Sequence, residues 1–542
     1  MDPISNAPAH APLPFDATGL RLVAGGGLSQ QIHAQLKAKI LQGELTAGAQ
    51  LPTSRDLARA LGVSRNTVVR AYEQLSSEGC LLTRLGAGCF VAAIEGLPQA
   101  TAAKLSGASQ RQQPPAASEP STPLWQRLQD YEPTPVAPPT PRAFRYGLPA
   151  LDLFPHPLWS RLQARFWRRQ ARGIRQGAPE HELASLSYSE AAGLPRLREL
   201  IASYLSHSRG LPCSAEQVIV TAGSQQAIAM AALALLQPGD RVGMESPGYR
   251  AAAAALGLSG ATVLPVPVDE QGLRVGALEA LGRAGTAQAL KLLYITPSHQ
   301  YPTGVAMPLQ RRLDLLDWAE RHQAWLLEDD YDGEYSFSGL PLAPLSALDA
   351  RAQQRTLYIG SFSKLLFPGL RLGYLVAPKA WVPKLARLRS MLDRQSSIAD
   401  QVVMADFMAE GHFLRHVRRM RRGARQRRDA LMQAWSQLLL PQLPPAWAAQ
   451  LKLQPVDAGL QAFLPLPSRA MEVQLHRAAL AAGIEIGSLA QVGGLPAHSA
   501  LAGLTLGFAT VGPAEIRRAT QALGRAWRPV LLAANPPAEM GD

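Results

Sequence analysis

The spacing of apolar residues divides the chain into two stretches with different periods. Between residues 28 and 41, apolar side chains recur at Ile32, Leu36 and Ile40, the spacing of one helix face. From Phe144 onwards, short apolar runs alternate with amphipathic helical segments, a pattern typical of a parallel α/β sheet. The sequence therefore predicts a multidomain chain, with a small, mainly helical domain followed by a large α/β domain.

Residues 48–75 are predicted to form two short helices around a tight turn. Either Thr53 or Ser54 can cap the first helix, Gly62 can supply the turn, and Ser64 can cap the second helix. The core that both helices would share consists of five apolar residues: Leu57, Leu61, Val63, Val68 and Leu75.

This arrangement leaves four polar residues near the exposed start of the second helix: Arg65, Asn66, Thr67 and Arg70. Side chains of these types hydrogen-bond base edges and phosphates in a DNA major groove. Downstream, Gly86 and Gly88 lie between apolar residues of the stretch 81–91, which favours a two-stranded wing. We therefore expect the first domain to bind double-stranded DNA.

Composition supplies the expected domain boundaries. The stretch 95–142 is rich in proline, favours extended chain and cannot build a core, so we interpret it as a linker. The predicted division is a tail at 1–24, a DNA-binding domain at 25–94, this linker, and a second domain at 143–535. Within the second domain we expect a large part at about 190–385 and a small part made of 143–189 and 386–535.

Charge and cysteine content narrow the class of protein. The 542 residues carry a formal net charge of +13, which suits a polyanionic partner. The three cysteines show neither metal nor disulfide spacing, so we predict no metal site and a reducing, cytoplasmic location. No run is long and apolar enough for a membrane helix.

The most informative chemistry surrounds Lys364. An apolar run predicted as a strand, 356–359, leads into a turn of small residues that carries Ser361, Ser363 and Lys364, and Arg371 follows. An amine can form an imine, while hydroxyls and a guanidinium can hold a phosphate. Together these groups indicate a site for pyridoxal 5'-phosphate.

Three further segments favour the same cofactor. A strand ending at Thr221 leads into a helix start at Ser224 and Gln225, where free N–H groups and side-chain donors suit a phosphate. Tyr249 follows another strand and could stack on the pyridine ring. The stretch 328–332 offers a buried carboxylate for the pyridine nitrogen and a tyrosine for the ring hydroxyl. Because all of these follow strands, we expect them at the carboxyl edge of the sheet.

The motifs also resemble known families. The stretches Leu-Pro-Thr-Ser-Arg-Asp-Leu-Ala and Leu-Gly-Val-Ser-Arg-Asn-Thr-Val are similar to the GntR-type winged helix, and the second domain resembles fold-type I aminotransferases. The whole chain thus resembles a MocR-type transcriptional regulator. The likeness to the winged helix implies DNA contacts at Arg55, Arg65, Thr67 and Arg70, with Gly86 and Gly88 in the wing.

The likeness to aminotransferases assigns roles to the cofactor-site residues. It implies that Lys364 forms the Schiff base, that Asp329 rather than Asp330 pairs with the pyridine nitrogen, and that Tyr331 bonds the ring hydroxyl. The phosphate would be held by five residues: Ser224, Gln225, Ser361, Ser363 and Arg371. Tyr188 would reach the phosphate of the partner subunit in a homodimer.

Two departures from the aminotransferase pattern bear on activity. Tyr301 stands before the loop proline, where aminotransferases commonly have asparagine, and Thr505 stands where an arginine anchors the substrate carboxylate. We therefore expect a regulator that senses the cofactor, or an amine or amino acid reacting with it, without physiological turnover. The alternatives are a working aminotransferase that also binds DNA and an inert aminotransferase-like scaffold.

Overall fold

A computed structural model of the protein describes residues 19–23, 26–84, 87–94, 122–129, 131, 141–177, 184–282, 289–337, 339, 343–348, 354–495 and 499–534. Gly86, most of the predicted linker and most of the predicted tail lie outside these residues. The chain divides into two compact units, residues 1–118 and residues 119–542.

The first unit contains three helices and a two-stranded hairpin. Its elements are α1 (Leu28–Leu41), α2 (Ser54–Leu61), α3 (Arg65–Ser77), β1 (Leu81–Arg84) and β2 (Gly88–Val91). The apolar face predicted for α1 packs against Leu57, Val68 and Leu75, all fully buried, whereas Leu61 and Val63 are only partly buried. The order of helices and hairpin is that of a winged helix.

Local hydrogen bonds explain where α2 and α3 begin. Thr53, not Ser54, caps α2, because its hydroxyl accepts the N–H of Asp56 at 3.2 Å. Gly62 ends α2 with a positive φ of 66°, a conformation that glycine adopts readily. Ser64 caps α3 by accepting the N–H of Thr67 at 3.2 Å.

The second unit is built on an eight-stranded sheet. Its strands are β3 (Val218–Thr221), β4 (Arg241–Ser246), β5 (Thr262–Asp269), β6 (Gly272–Leu273), β7 (Leu290–Ile295), β8 (Trp325–Asp330), β9 (Thr356–Ser361) and β10 (Gly373–Val376). They lie in the order β3-β10-β9-β8-β7-β4-β5-β6. Neighbours from β5 through β4, β7 and β8 to β9 are parallel, while β10 is antiparallel to both β3 and β9. Six strands, β3, β4, β5, β7, β8 and β9, therefore end at the same edge of the sheet.

Some helices precede the first strand of this sheet in the chain, and others lie between its strands or follow the last one. They are α4 (Pro123–Gln129), α5 (His156–Gln176), α6 (Pro195–Arg209), α7 (Ser224–Leu235), α8 (Arg250–Gly257), α9 (Leu309–His322), α10 (Leu345–Leu348) and α11 (Val382–Leu392). Strands β3, β8 and β9 are buried along almost their whole length, which accounts for the apolar residues with which β8 begins and for the mostly apolar sequences of β3 and β9.

The C-terminal part adds a second, smaller sheet. Strands β11 (Gln461–Pro465), β12 (Gly487–Ser488) and β13 (Gly503–Gly507) form an antiparallel sheet in which β13 is central. The accompanying helices are α12 (Ile398–Ala409), α13 (His412–Ala434), α14 (Pro445–Gln450), α15 (Arg469–Ala481), α16 (Leu489–Val492) and α17 (Pro513–Ala533). Phe144, far away in sequence, forms a bridge to Gly507 of β13. No helix among the described residues is long and apolar enough to span a membrane.

Candidate functional site

The first unit exposes basic side chains on α2 and α3. Arg55, Arg65, Asn66 and Arg70 are exposed, and Thr67 is partly so. Within the described part of the chain, Arg55 and Arg70 form no ion pair, whereas Lys37 and Lys39 are bound by Glu78 and Glu44. Cations without an acidic partner in the protein suit phosphate contacts.

The hairpin turn beside these helices is held by Gln50. Its amide donates to the carbonyl of Ala87 at 2.8 Å, and a Cβ at Gly88 would lie 3.1 Å from the same amide nitrogen. With a φ of 106°, Gly88 occupies a backbone conformation that favours glycine.

Lys364 lies in the turn that follows β9, at the carboxyl edge of the large sheet. Its ammonium donates to the carbonyl of Gly147, and its own carbonyl accepts the hydroxyl of Tyr335 at 2.7 Å. Burial lowers the pKa of Lys364, and the charges of Asp332 and Asp329 raise it. A partly desolvated lysine of this kind is a better nucleophile at neutral pH than an exposed one.

A surface formed by the Arg371 guanidinium and the backbone of Ala222 and Gly223 lies at the same edge of the sheet. The guanidinium of Arg371 donates to the carbonyl of Ala222 at 2.7 Å, and a Cβ at Gly223 would lie 3.2 Å from both of its terminal nitrogens. Ser361 pairs in register with Gly373, which also pairs with Thr221, so the strand pairing brings Ser361 towards this turn. The Ser361 hydroxyl accepts the N–H of Ser363 at 3.2 Å.

Helix α7 begins at this surface. Gly223 precedes it with a φ of 93°, and no described side chain caps its start, so its first N–H groups are available to an anion. Ser224 is the first residue of the helix. The sequence predicted a side-chain donor here, but the side-chain nitrogen of Gln225 donates to the carbonyl of Ala251 at 2.7 Å, so the donor that Gln225 leaves at the helix start is its backbone N–H.

The two aspartates at the end of β8 have different surroundings. Asp330 is buried in an ion pair with Arg209 and accepts the hydroxyl of Tyr358 at 2.6 Å. Asp329 accepts the hydroxyl of Tyr294 at 2.8 Å, and the charge of Lys364 acts on it. Burial raises the pKa of Asp329 to about 7, whereas Arg209 helps to hold the pKa of Asp330 below its usual value despite burial.

Three tyrosines cluster beside Asp329. The ring of Tyr301 lies between those of Tyr249 and Tyr331, with centroids 5.4 Å and 6.0 Å away. Burial raises the pKa of all three, so they are neutral hydroxyls at physiological pH. This tyrosine cluster supplies a ring for stacking and hydroxyls for hydrogen bonds.

Two further predicted residues lie apart from this cluster. The Tyr188 side chain is 75% exposed and stacks on Arg394, whose guanidinium carbon is 4.2 Å from the ring centroid. Thr505 is fully buried in β13, and within the described residues its hydroxyl has no partner. A Cβ on neighbouring Gly487 would lie 3.3 Å from the Cβ of Thr505 and 2.9 Å from the ring of Tyr146.

The sequence did not reveal several supporting residues. Tyr294 lies inside an apolar strand and looked like core, yet its hydroxyl orients Asp329. Glu245 accepts both the N–H of Thr296 at 3.1 Å and its hydroxyl, and so fixes the loop that carries Tyr301. Gly147 reaches Lys364 across 217 residues of sequence, a separation at which local patterns carry no signal.

The residues present fit pyridoxal phosphate. One sheet edge brings together an amine, a cradle formed by the Arg371 guanidinium, the Gly223 backbone and the uncapped start of α7, and a buried carboxyl oxygen of Asp329 that has no partner among the described residues. The fold and the two sites thus define a class of protein: a winged helix joined to a fold-type I aminotransferase-like unit.

Comparisons with known proteins place the chain in a family. Residues 28–91 match the model for bacterial regulatory proteins of the gntR family, and residues 180–472 match the model for aminotransferase class I and II. The chain is 35% identical over 502 residues to the probable rhizopine catabolism regulatory protein MocR of Rhizobium meliloti, covering 92% of this chain and 94% of that protein. It is 34% identical over 437 residues to the pyridoxine biosynthesis transcriptional regulator PdxR of Corynebacterium glutamicum, covering 80% of this chain and 82% of that protein. The chain belongs to the MocR-type regulators, as the sequence predicted.

A solved structure supports the fold of the second unit. LysN, an α-aminoadipate aminotransferase from Thermus thermophilus complexed with N-(5'-phosphopyridoxyl)-L-leucine, is 28% identical and aligns with a TM-score of 0.62. The alignment covers 73% of this chain and 94% of LysN. The predicted aminotransferase-like α/β fold is therefore confirmed.

Proposed function

We propose that the protein is a transcriptional regulator that binds promoter DNA through its first unit and pyridoxal 5'-phosphate through its second. The observation that carries the proposal is the placement of Lys364 and the Gly223–Arg371 surface at one sheet edge. Exposed cations on α2 and α3 support DNA binding by the first unit of the same chain.

Each side chain of the site has a distinct proposed role. Lys364 is the amine that holds the cofactor, Asp329 faces the pyridine nitrogen, and Tyr331 meets the ring hydroxyl. Tyr249 stacks on the ring. Five residues hold the phosphate: Ser224, Gln225, Ser361, Ser363 and Arg371. The ion pair between Asp330 and Arg209 supports the choice of Asp329 for the pyridine nitrogen, because it already uses the charge of Asp330.

When bound, pyridoxal phosphate supplies an aldehyde for the lysine and a ring that withdraws electrons from a bound amine. The chain's own contribution is to bind and orient. Arg371 and the start of α7 offer fixed positive charge, while a carboxylate oxygen of Asp329 would accept the N–H of a protonated ring nitrogen. Tyr294 keeps the carboxyl of Asp329 in place through its hydroxyl.

Regulation requires that the ligand favour one arrangement of the protein over another. We propose that the second unit forms a homodimer, in which Tyr188 of each subunit reaches towards the phosphate of the other. The effector is the cofactor itself, or an amine or amino acid that reacts with it. Two winged helices in one dimer would contact two half-sites.

The experiment is to compare wild-type protein with Lys364→Ala, using DNA fragments recovered by sequencing what the wild type retains. Wild type should be yellow, its absorbance should be reducible by borohydride, and its DNA affinity should differ with and without pyridoxal phosphate. Lys364→Ala should lose the absorbance and the cofactor response. Lys384→Ala, which removes an exposed lysine stacked on Trp381, is the matched control. A Lys364→Ala protein that keeps both properties would place the cofactor on another lysine.

A working aminotransferase that also binds DNA is the second candidate, because the lysine, the carboxylate and the phosphate cradle are all present. Turnover with amino donors separates it from a sensor. Thr505 and Tyr301 favour the sensor.

A further inference from the structure

Arginine is concentrated on two helices of the second unit, α5 and α13, which have no role in the function proposed above. Helix α5 carries six arginines and no acidic residue, while α13 carries eight arginines and a single acidic residue, Asp429. A helix face that meets only water commonly mixes charges of both signs, which pair along the helix. The excess of one sign on both helices therefore indicates a partner of the opposite sign.

The fold brings these two helices together. Arg165 of α5 binds the carboxylate of Glu410, and the backbone carbonyl of Glu410 accepts a hydrogen bond from Arg415 of α13 at 3.0 Å. The ring of Phe154, just before α5, packs on that of His416 in α13, with centroids 5.7 Å apart. The two arginine-rich stretches thus belong to one region of the second unit.

Both helices bury their apolar side. Trp159, Leu162 and Phe166 of α5 lie in the hydrophobic core, and so do Val417 and Met420 of α13. An amphipathic helix that binds a membrane must offer its apolar side to lipid, and these apolar sides are already occupied by the core. The side that each helix leaves to a partner is its basic side.

Six arginines of this basic side are exposed and form no ion pair within the described part of the chain. On each helix they recur at intervals of three, four or seven residues, which places each set along one face. We call them the arginine surface: Arg161, Arg168, Arg172, Arg418, Arg422 and Arg425. Asp406, on the neighbouring helix α12, is already bound by Arg165 and Arg196 and so does not neutralise them.

Duplex DNA matches this row of charges. Like charges three or four residues apart on a helix repel each other, and bound phosphates would offset that repulsion. Arg161 and Arg172 are eleven residues apart, about 16 Å along the axis of α5, which is the rise of about five base pairs. Because a duplex carries one phosphate charge for every ~1.7 Å of its axis, it can engage several of these arginines at once, whereas a small anion cannot.

We propose that the arginine surface contacts the phosphate backbone of the same DNA duplex whose bases the first unit reads. Because the first unit holds the duplex, the local concentration of phosphates near the second unit is high, and contacts that are weak by themselves suffice. These contacts carry no base specificity and act by releasing counter-ions from the duplex. The inference goes beyond the proposed function, which assigns DNA binding to the first unit, and it rests on that unit binding DNA.

The test uses full-length protein and a DNA fragment that the wild type retains, prepared in two lengths. The short form contains just the base pairs whose substitution lowers affinity, and the long form adds flanking duplex of arbitrary sequence on each side. Affinity is measured by fluorescence anisotropy across a salt series. The wild type should bind the long form more tightly and with a steeper salt dependence, because each added phosphate contact contributes about 0.9 to the slope of log K against log salt.

Two triple variants remove the arginine surface one helix at a time, with glutamine as the replacement because it keeps a high helix propensity. Each should lower the slope for the long form by up to about 2.7, three contacts at about 0.9 each, and leave the short form nearly unchanged. The variants are Arg161→Gln/Arg168→Gln/Arg172→Gln on α5 and Arg418→Gln/Arg422→Gln/Arg425→Gln on α13.

A matched control separates local contact from net charge. It replaces three exposed arginines of α17 that also form no ion pair among the described residues: Arg517, Arg525 and Arg528. This variant loses the same amount of charge and should keep the wild-type advantage of the long form. Circular dichroism and thermal unfolding check that all three variants are folded.

Each outcome decides the inference. Loss of the long-form advantage in the α5 variant, the α13 variant or both, but not in the α17 control, supports it. Equal wild-type slopes for the two forms, or unchanged long-form binding in both triple variants, overturn it and leave the proposed function standing. An equal loss in the α17 control would assign the effect to net charge and also overturns it. A wild type that retains no specific fragment overturns this inference and DNA binding by the first unit together.

Discussion

The guanidinium of Arg371 lies directly against the backbone of Gly223, where a Cβ would be 3.2 Å from both of its terminal nitrogens. Gly223 also has a φ of 93°, so a side chain at this position is disfavoured by its backbone as well as by its neighbour. The absence of a side chain at Gly223 thus lets the Arg371 guanidinium lie against the backbone beside the start of α7. This relationship is what makes the turn after β3 a candidate phosphate site.

Gly223→Ala should therefore weaken pyridoxal phosphate binding by about tenfold or more, since losing one charge-assisted hydrogen bond costs about 1.5–3 kcal/mol. Affinity is measured by titrating cofactor-free protein and following absorbance. Gly239→Ala is the matched control, because Gly239 has a φ of 90° but nothing within 4 Å of its Cβ position among the described residues. Equal losses in both variants would assign the effect to backbone strain and not to the cradle.

Asp329→Asn should change the pH dependence of stability in cofactor-free protein. The folded pKa of about 7 lies above the unfolded value, so the folded state binds more protons and wild-type stability falls as pH rises from about 4 to about 7. Asparagine cannot ionise, so the variant does not lose stability in this way. Above pH 7 its free energy of unfolding should exceed that of wild type by up to roughly 4 kcal/mol, and the difference should vanish near pH 4. Urea unfolding at pH 5 and pH 8 measures the difference. A gain that is the same at both pH values would contradict a protonated Asp329.

Asp330→Asn should have a different effect from Asp329→Asn. It leaves the Arg209 guanidinium buried without an anion, and breaking a buried pair in this way costs about 3–5 kcal/mol. Unfolding of cofactor-free Asp330→Asn should show this loss at pH 8. If Asp330→Asn instead spared stability and abolished cofactor absorbance, the assignment of the two aspartates would have to be exchanged.

These two aspartates also show how far the sequence could predict the site. The apolar residues at the start of β8 predicted that both carboxyls lie at the end of a strand. The resemblance to aminotransferases favoured Asp329 for the pyridine nitrogen. The choice cannot be made from the pattern itself, because neighbouring residues of a strand face opposite sides, and Arg209 lies 121 residues away. The strands and caps, by contrast, depend on local chemistry: the predicted run 356–359 is part of β9, and Ser64 caps α3.

Contacts between segments that are distant in the chain could not be predicted from the sequence for the same reason. Gly147 accepts a hydrogen bond from Lys364, and the Tyr146 ring and Thr505 both lie beside Gly487. Phe144, in the same segment as Tyr146 and Gly147, forms a bridge to Gly507 of β13. Nothing in residues 141–147 indicates that pairing, since an isolated bridge has no period. The sequence predicted Lys364 as the candidate amine, but it did not indicate the segment whose Gly147 carbonyl accepts a hydrogen bond from it.

Arg65→Ala should weaken sequence-specific DNA binding by about 1–3 kcal/mol if this side chain reads a base through two hydrogen bonds. Arg65 is exposed at the start of α3, and its guanidinium contacts the Ser54 hydroxyl at 3.4 Å. Fluorescence anisotropy at several salt concentrations measures the affinity, which should fall steeply with salt. Lys39→Ala removes one positive charge that Glu44 already neutralises and is the control. Equal effects of the two substitutions would indicate non-specific electrostatics only.

Thr505 leads to the last prediction, which concerns amine ligands. A substrate carboxylate buried without a cation pays a large desolvation penalty, and a threonine hydroxyl cannot replace the two parallel hydrogen bonds of an arginine. Thr505 is fully buried, and the nearby Arg145 is already bound by Glu485. We therefore expect weak or absent transamination of ordinary α-amino acids.

The measurement compares amino acids with their own decarboxylation products, for example leucine with isoamylamine, added to cofactor-loaded protein. Because the two members of each pair differ only in the carboxylate, an anchoring cation would favour the amino acid strongly, while Thr505 should give no such advantage. Cofactor absorbance and DNA binding are followed together, so that a response to pyridoxal phosphate alone is also seen. Transamination of a common α-amino acid at micromolar concentration would contradict the prediction. It would indicate that an arginine of the partner subunit anchors the carboxylate.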